Sequence, residues 1–243
     1  FLRLLLLPSE RRKSVRYLLG IVGIIRCLLS LGPWQTFKLL VLAPRLKRRF
    51  SIRVRGFSKP VSIRGKSTDC LIFNHILVCR QYAGLVPNCP ARILDGGANI
   101  GAATLYWNQC FPKAEIVAIE PEAENFELMK QNTRHLENVS LIKGGLWSKR
   151  TRLSIENPGV DKDAICVTED ENGKIEAHSI ASIMNDMRWH WIDVVKLDVE
   201  GSEVPILAEN SSQWINRIGT LIVEIHQNIA PDSARVLFQT FSD

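Results

Sequence analysis

The chain has 243 residues, 46% of them apolar and 23% charged, which excludes extensive disorder and allows one α/β domain plus a modest N-terminal extension. The net charge of +6 is unevenly placed: residues 1–66 hold 16 Lys/Arg and the single acid Glu10, leaving 15 Lys/Arg against 24 acids in the remainder. The six cysteines have no CxxC pair and no histidine at zinc-site spacing, so they read as reduced thiols in a cytoplasmic setting; a Cys79–Cys89 disulfide is possible on sequence distance, but nothing else points to an oxidising compartment.

Residues 1–49 form a basic, leucine-rich extension with helices expected at about 9–31 and 34–43, broken at Gly32-Pro33 and Pro44. Its longest apolar run, Tyr17 to Leu31, falls short of the roughly 20 residues a membrane span needs, and Arg26 inside it would cost about 2.5–3.5 kcal/mol. No small-residue cleavage site follows, so a signal peptide fits poorly. Two readings stay open: peripheral contact with an anionic membrane, or a helical cover over the rest of the chain. Nucleic acid is not an expected partner.

Residues 50–90 read as a hairpin-and-helix module. Phe50, Ile52 and Val54 alternate with Arg53 and Arg55, and Pro60 to Arg64 repeats the alternation, giving a β-hairpin at about 50–64. Ser67-Thr68-Asp69 resembles an N-cap before an apolar helix from Cys70 to Val78, in which His75 reads as a packed histidine.

From residue 91 to 243 the pattern is that of a catalytic domain. Ala91 to Asp95 is a short strand ending in an acid, followed by Gly96-Gly97-Ala98-Asn99-Ile100-Gly101 and a helix from Ala102 to Cys110. Gly97 and Gly101 allow close approach of a ligand to the backbone, and Asn99 tolerates a left-handed conformation. A dinucleotide fingerprint would need a second glycine where Ala98 stands, and Asp95 before the turn would repel a pyrophosphate. The same carboxylate can accept hydrogen bonds associated with a methionine ammonium, which favours S-adenosylmethionine over NAD.

The next strand, Ala114 to Glu120, ends in an acid that can take both ribose hydroxyls, each such charge-assisted bond being worth about 1.5–3 kcal/mol. A helix at about 122–136 and a third strand from Val139 to Lys143 lead to Leu146 and Trp147, either of which could flank an adenine. Residues 151–180 read as short strands with a turn near Glu171-Asn172-Gly173, an insertion placed to cover the site.

Two further strands carry polar residues where a fully covered parallel sheet should be apolar. Ile192 to Gly201 contains Lys196, Asp198 and Glu200, and Thr220 to His226 contains Glu224 and His226. Ligands bind beyond the carboxyl ends of such strands, so these groups are candidates for the chemistry: His226 as general base, Asp198, Glu200 and Glu224 as its partners or as acceptor ligands. A structural network with Lys196 neutralising one acid is the alternative, and a divalent metal is conceivable here but not indicated. Trp189-His190-Trp191 reads as an aromatic anchor.

Ile93 to Gly101, Ile119-Glu120-Pro121, Lys196 to Glu203 and Val223 to His226 together resemble the FkbM family of methyltransferases, over about residues 51–226. The resemblance implies a doubly wound, Rossmann-like class I methyltransferase fold and O-methylation of a hydroxyl on a sugar, glycan or secondary metabolite. It implies that Asp95, Gly97, Asn99, Gly101 and Glu120 hold S-adenosylmethionine, with a small-molecule or glycan acceptor beside them. A complete sheet of this class has seven strands, and five are found here. The closing antiparallel pair would follow the helix at about 231–241, so the sequence is expected to be a fragment. An NAD-dependent oxidoreductase and a non-catalytic, membrane-associated nucleotide-binding module are the competing readings.

Overall fold

The computed structural model describes residues 3–8, 20–86, 89–156, 166–225 and 233–240. Its centre is a six-stranded sheet in which every neighbouring pair is parallel, ordered β1-β12-β11-β4-β5-β6. The strands are β1 (Arg3–Pro8), β4 (Arg92–Gly96), β5 (Glu115–Glu120), β6 (Val139–Lys143), β11 (Ile192–Leu197) and β12 (Ile218–Ile225). Ile93, Leu94, Val117, Val194, Val195 and Leu197 are wholly buried in it, each stabilising the fold by about 1.5–3 kcal/mol.

From β4 the chain winds outward through α4 (Ala102–Cys110), β5, α5 (Ala123–Thr133) and β6, then returns to the other side of β4 with β11 and β12. Between β4 and β11 the strand order therefore reverses. Connections leave the two strands in opposite directions there, opening a crevice beyond their carboxyl ends. The register sets Lys196 beside Asp95 and Leu197 beside Gly96, which brings the acid before the glycine turn against the lysine of β11.

The expected hairpin is present as β2 (Arg49–Ile52) and β3 (Val61–Arg64), paired Arg49 to Arg64 through Ile52 to Val61. The helix after it is shorter than its apolar run suggests: α3 covers Asp69–Phe73 and then widens into a π-helical turn, Asn74–Val78. Thr68 stands at its N-cap without a side-chain cap. Asp69 is used elsewhere, accepting from the Arg64 backbone at 2.7 Å and from both Nε and Nη2 of its guanidinium at 3.0 and 2.8 Å. This bidentate pair ties the hairpin to the helix. A separate four-stranded sheet, ordered β7-β10-β8-β9, is built from β7 (Gly145–Leu146), β8 (Thr151–Ile155), β9 (Val167–Glu169) and β10 (Ile175–His178). The turn between β9 and β10 closes through Gly173 N donating to Asp170 O at 2.8 Å.

The N-terminal extension departs from the all-helical expectation. Residues 3–8 pair with β12 along Thr220–Ile225 as the outermost parallel strand, so Leu4 to Leu7 satisfy an exposed sheet edge. Helices follow as α1 (Ile21–Leu31) and α2 (Pro33–Phe37), separated at Gly32, with a π-helical turn over Lys38–Leu42; the expected helical residues 9–19 lie outside the described residues. No helix among the described residues is long and apolar enough to cross a membrane. All six cysteines are unbridged, Cys79 and Cys89 included.

Candidate active site

The cleft at the strand-order reversal is walled by the strand ends, the hairpin-and-helix module and the small sheet. The turn after β4 contributes Gly97, Ala98 and Asn99, the end of β5 contributes Glu120 and Pro121, and the ends of β11 and β12 contribute Lys196, Asp198, Glu200, Ser202 and Glu224. The opposite wall comes from the hairpin-and-helix module, whose Leu71, Ile72, His75, Ile76, Gln81 and Tyr82 face the strand ends. Leu146 and Val167 reach in from the small sheet.

Glycine at 97 is dictated by space and by backbone. Its φ is +71°, and a Cβ there would lie 1.8 Å from the carbonyl oxygen of Asp198. The turn after β4 thus packs directly against the loop after β11. Asn99 follows in the left-handed region, at φ 50°, with its backbone N–H donating to Glu120 Oε2 at 2.8 Å. Its side-chain Oδ1 is buried without a hydrogen-bond partner at the cleft wall.

Glu120 is 5% exposed at the end of β5. Oε1 accepts from Glu122 N at 3.0 Å and from Asn125 Nδ2 at 3.2 Å. Burial pushes its carboxyl up to about 7, opposed by the hydrogen bonds from Glu122, Asn99 and Asn125. A carboxylate has about four lone-pair directions. Three are used, which leaves one on Oε2 and makes the long Asn125 contact on Oε1 the easiest to exchange for a ligand hydroxyl.

Two residues expected to touch the cofactor are placed behind the cleft wall. Asp95 has no exposure and accepts from Thr104 Oγ1 at 2.7 Å, with the Lys196 ammonium 3.2 Å from its other oxygen. Gly101, at φ +81°, caps α4, and a Cβ there would meet Met129 at 3.0 Å and Thr133 at 3.3 Å. Both residues shape the turn: Asp95 through charge, Gly101 by letting α4 lie close to α5.

Lys196 explains part of the polarity at the end of β11. Besides Asp95 it stands 3.4 Å from Asp198 Oδ2 and donates to the carbonyls of Gly96 and Gly97 at 3.2 and 2.9 Å. Desolvation disfavours its charge, but Asp95 and Asp198 outweigh that and hold its pKa above the ordinary lysine value. Glu203 has a matching scaffold role, accepting from Val199 N at 3.3 Å and Gly201 N at 2.7 Å in a loop where Glu200 takes φ 48°.

Asp198, Glu200 and Glu224 all reach the cleft, and Asp198 keeps 28% side-chain exposure beyond its ion pair. His226 lies outside the described residues. Leu146 is buried at the cleft wall, whereas the Trp189 indole is an anchor packed in a core cluster with Ile183, Met184 and Ile192, donating to Glu115 Oε2 at 2.7 Å. No group of three His, Cys, Asp or Glu among the described residues is arranged to hold a metal ion.

The sequence marks neither Tyr82 nor Ser202 for the cleft and offers His75 only as a packing residue, yet all three line it. Tyr82 is buried against Trp107, ring centroids 5.1 Å apart, and lines the same end of the cleft as Asp198 and Glu224. Burial above all, countered by Lys196 and reinforced by Asp198, Asp95 and Glu224, holds the phenol above its ordinary pKa. It is an O–H donor at neutral pH. Ser202 is 2% exposed, with an Oγ that lacks a hydrogen-bond partner. A mid-chain tyrosine with no motif around it gives no sequence signal for such a position.

The family model for the methyltransferase FkbM domain matches residues 95–240. Methyltransferase 1 of Beauveria bassiana is 26% identical over 159 residues, covering 55% of this chain and 64% of its own length. The hexuronic acid methyltransferase AglP of Haloferax volcanii is 28% identical over 139 residues, covering 56% of each chain. The chain therefore spans less than two thirds of the length of these two curated relatives. Among solved structures, precorrin-6y C5,15-methyltransferase from Geobacter metallireducens aligns with a TM-score of 0.42 and 13% identity, over 67% of this chain and 69% of that one.

Proposed function

The chain belongs to the FkbM methyltransferase family, and from that premise we propose that it transfers a methyl group from S-adenosylmethionine to a hydroxyl on a sugar, glycan or secondary metabolite. The doubly wound sheet is then the core of a class I methyltransferase. The observation that carries the cofactor assignment is the placement of Glu120 at the cleft, across from a glycine turn with no room for a side chain at Gly97.

The residues present suit the cofactor. Glu120 would hold the ribose hydroxyls, the backbone of Gly97 to Asn99 the methionine portion and Leu146 the adenine, all of them residues that line the cleft. The unpartnered Asn99 Oδ1 offers a buried acceptor to a ligand N–H or O–H. Bound there, S-adenosylmethionine supplies an electrophilic methyl on a sulfonium.

Acceptor handling falls to the far end of the cleft. Asp198, Glu200 and Glu224 accept from acceptor hydroxyls and fix which one lies in line, and His226, one residue beyond β12, removes its proton. The apolar wall of Leu71, Ile72 and Ile76 excludes water from this region. By its name the Haloferax relative acts on a hexuronic acid, which supports a sugar-like acceptor.

The test is transfer of a labelled methyl group from S-adenosylmethionine to a panel of monosaccharides, glycosides and small alcohols. An alkali-stable methyl ether is expected, with turnover abolished in His226→Ala and cofactor affinity retained. Label released by mild alkali would mean ester formation and end the hydroxyl assignment, and full turnover in His226→Ala would end the base assignment.

A further inference from the structure

We infer that α1 and the aromatic pair that follows it form a docking surface for an anionic lipid bilayer. The inference is independent of the methyltransferase reading and rests on how α1 distributes its side chains. Gly23, Cys27 and Leu31 are buried against the module behind, where Cys27 Sγ donates to Asn74 Oδ1 at 3.3 Å. Ile21, Val22, Ile24, Ile25, Leu28 and Leu29 are exposed, Ile21 to 78% and Leu29 to 66%. At about 100° per residue these six occupy one continuous arc of about 160°, with Arg26 at its edge. A solvated helix carries polar residues on that face; here it is entirely apolar.

The next turn extends the apolar surface. Trp34 and Phe37 are both exposed and stack with ring centroids 5.7 Å apart, Phe37 adding apolar area beside an indole of the kind that settles at a membrane–water interface. At 11 residues, α1 is about 16 Å long against a hydrocarbon core of about 30 Å, so it would lie in the interface rather than cross it.

Charge decides what covers this face. Lys38 Nζ stands 5.6 Å over the Trp34 ring, and Arg53 and Arg55 line a shallow depression with Trp34 and Leu31. Arg45, Lys47, Arg48 and Arg49 are exposed on the following segment, within a stretch of 66 residues that holds a single acid. A second copy packed face to face would set cations against cations, whereas an anionic surface would satisfy both the apolar arc and the cations beside it, Lys38, Arg53 and Arg55, each cation near the surface contributing about a fivefold gain in binding.

The experiment is sedimentation of the full chain with vesicles of phosphatidylcholine alone or mixed with phosphatidylserine. The expected result is binding to the mixed vesicles at low salt, at least tenfold weaker on phosphatidylcholine alone and reduced at high salt. Ile25→Glu with Leu29→Glu should weaken it at least tenfold, and Arg53→Glu with Arg55→Glu by about tenfold or more, with circular dichroism and melting temperature confirming that each variant folds. A chain that stays in the supernatant with mixed vesicles, or binding that both double variants leave unchanged, would overturn the inference. So would a stable dimer, seen by sedimentation velocity and dissolved by the Ile25/Leu29 pair, that fails to bind vesicles.

Discussion

Replacing Lys196 by methionine tests whether the polar end of β11 is scaffolding for the glycine turn. The substitution keeps the aliphatic stem and removes an ammonium that serves Asp95, Asp198 and two backbone carbonyls at once. Asp95, without solvent exposure, is left with Thr104 Oγ1 as its remaining hydrogen-bond donor. Removing one partner of a buried ion pair costs about 3–5 kcal/mol. For a chain of this size each kcal/mol lowers the melting temperature by about 2–4 °C, so the variant should melt about 6–20 °C below the parent. Adding Asp95→Asn removes the stranded charge while retaining an acceptor for Thr104, and should recover more than half of the loss. Calorimetric melting of the parent, both single variants and the double variant measures the coupling directly. A Lys196→Met shift of about 2 °C or less, or a double variant no more stable than Lys196→Met, would refute this reasoning.

Four further outcomes are expected. Because burial raises Glu120 to about 7, and the ionised form best accepts ribose hydroxyls, affinity for S-adenosylhomocysteine should rise with pH and level off above 7; at pH 6 it should be about tenfold weaker, and Glu120→Gln should flatten the profile. The same raised pKa means the ligand-free fold binds a proton that the unfolded chain releases, so this group's contribution to stability falls as pH rises from the ordinary carboxylate value to about 7, measurable by chemical denaturation. Gly97→Ala would drive a methyl group into the Asp198 carbonyl at 1.8 Å and should abolish cofactor binding in calorimetry. Tyr82→Phe should leave cofactor affinity within about twofold yet lower kcat/KM for the acceptor by about tenfold, the loss of one hydrogen bond to the reacting end of the cleft.

The five strands from residue 92 onward were legible as short, largely apolar runs, β4 and β5 ending in the glycine and the acid that mark the turn and the cleft. The cleft at the strand-order reversal was legible for a related reason: a turn that needs Gly97 and Asn99, and an acid at the end of the next strand, are local demands of chain geometry. Asp95 and Gly101 mark the limit of that logic. Motif spacing locates a residue along the chain but not the side of the strand from which its carboxylate leaves, and register with Lys196 turned Asp95 into the buried half of an ion pair. Residues 3–8 could not be read as a strand because their leucine run has no period and their partner lies more than 200 residues away. Tyr82 was invisible for the same long-range reason: its place at the cleft depends on docking of the hairpin-and-helix module across the strand ends.

The central claim is that this cleft holds S-adenosylmethionine through Glu120, and calorimetric titration of S-adenosylhomocysteine into the parent chain and into Glu120→Ala tests it most directly. Micromolar binding by the parent, lost in a folded Glu120→Ala variant, is the predicted result. A folded parent chain that takes up no S-adenosylhomocysteine, or a variant that binds it as tightly as the parent, would contradict the account.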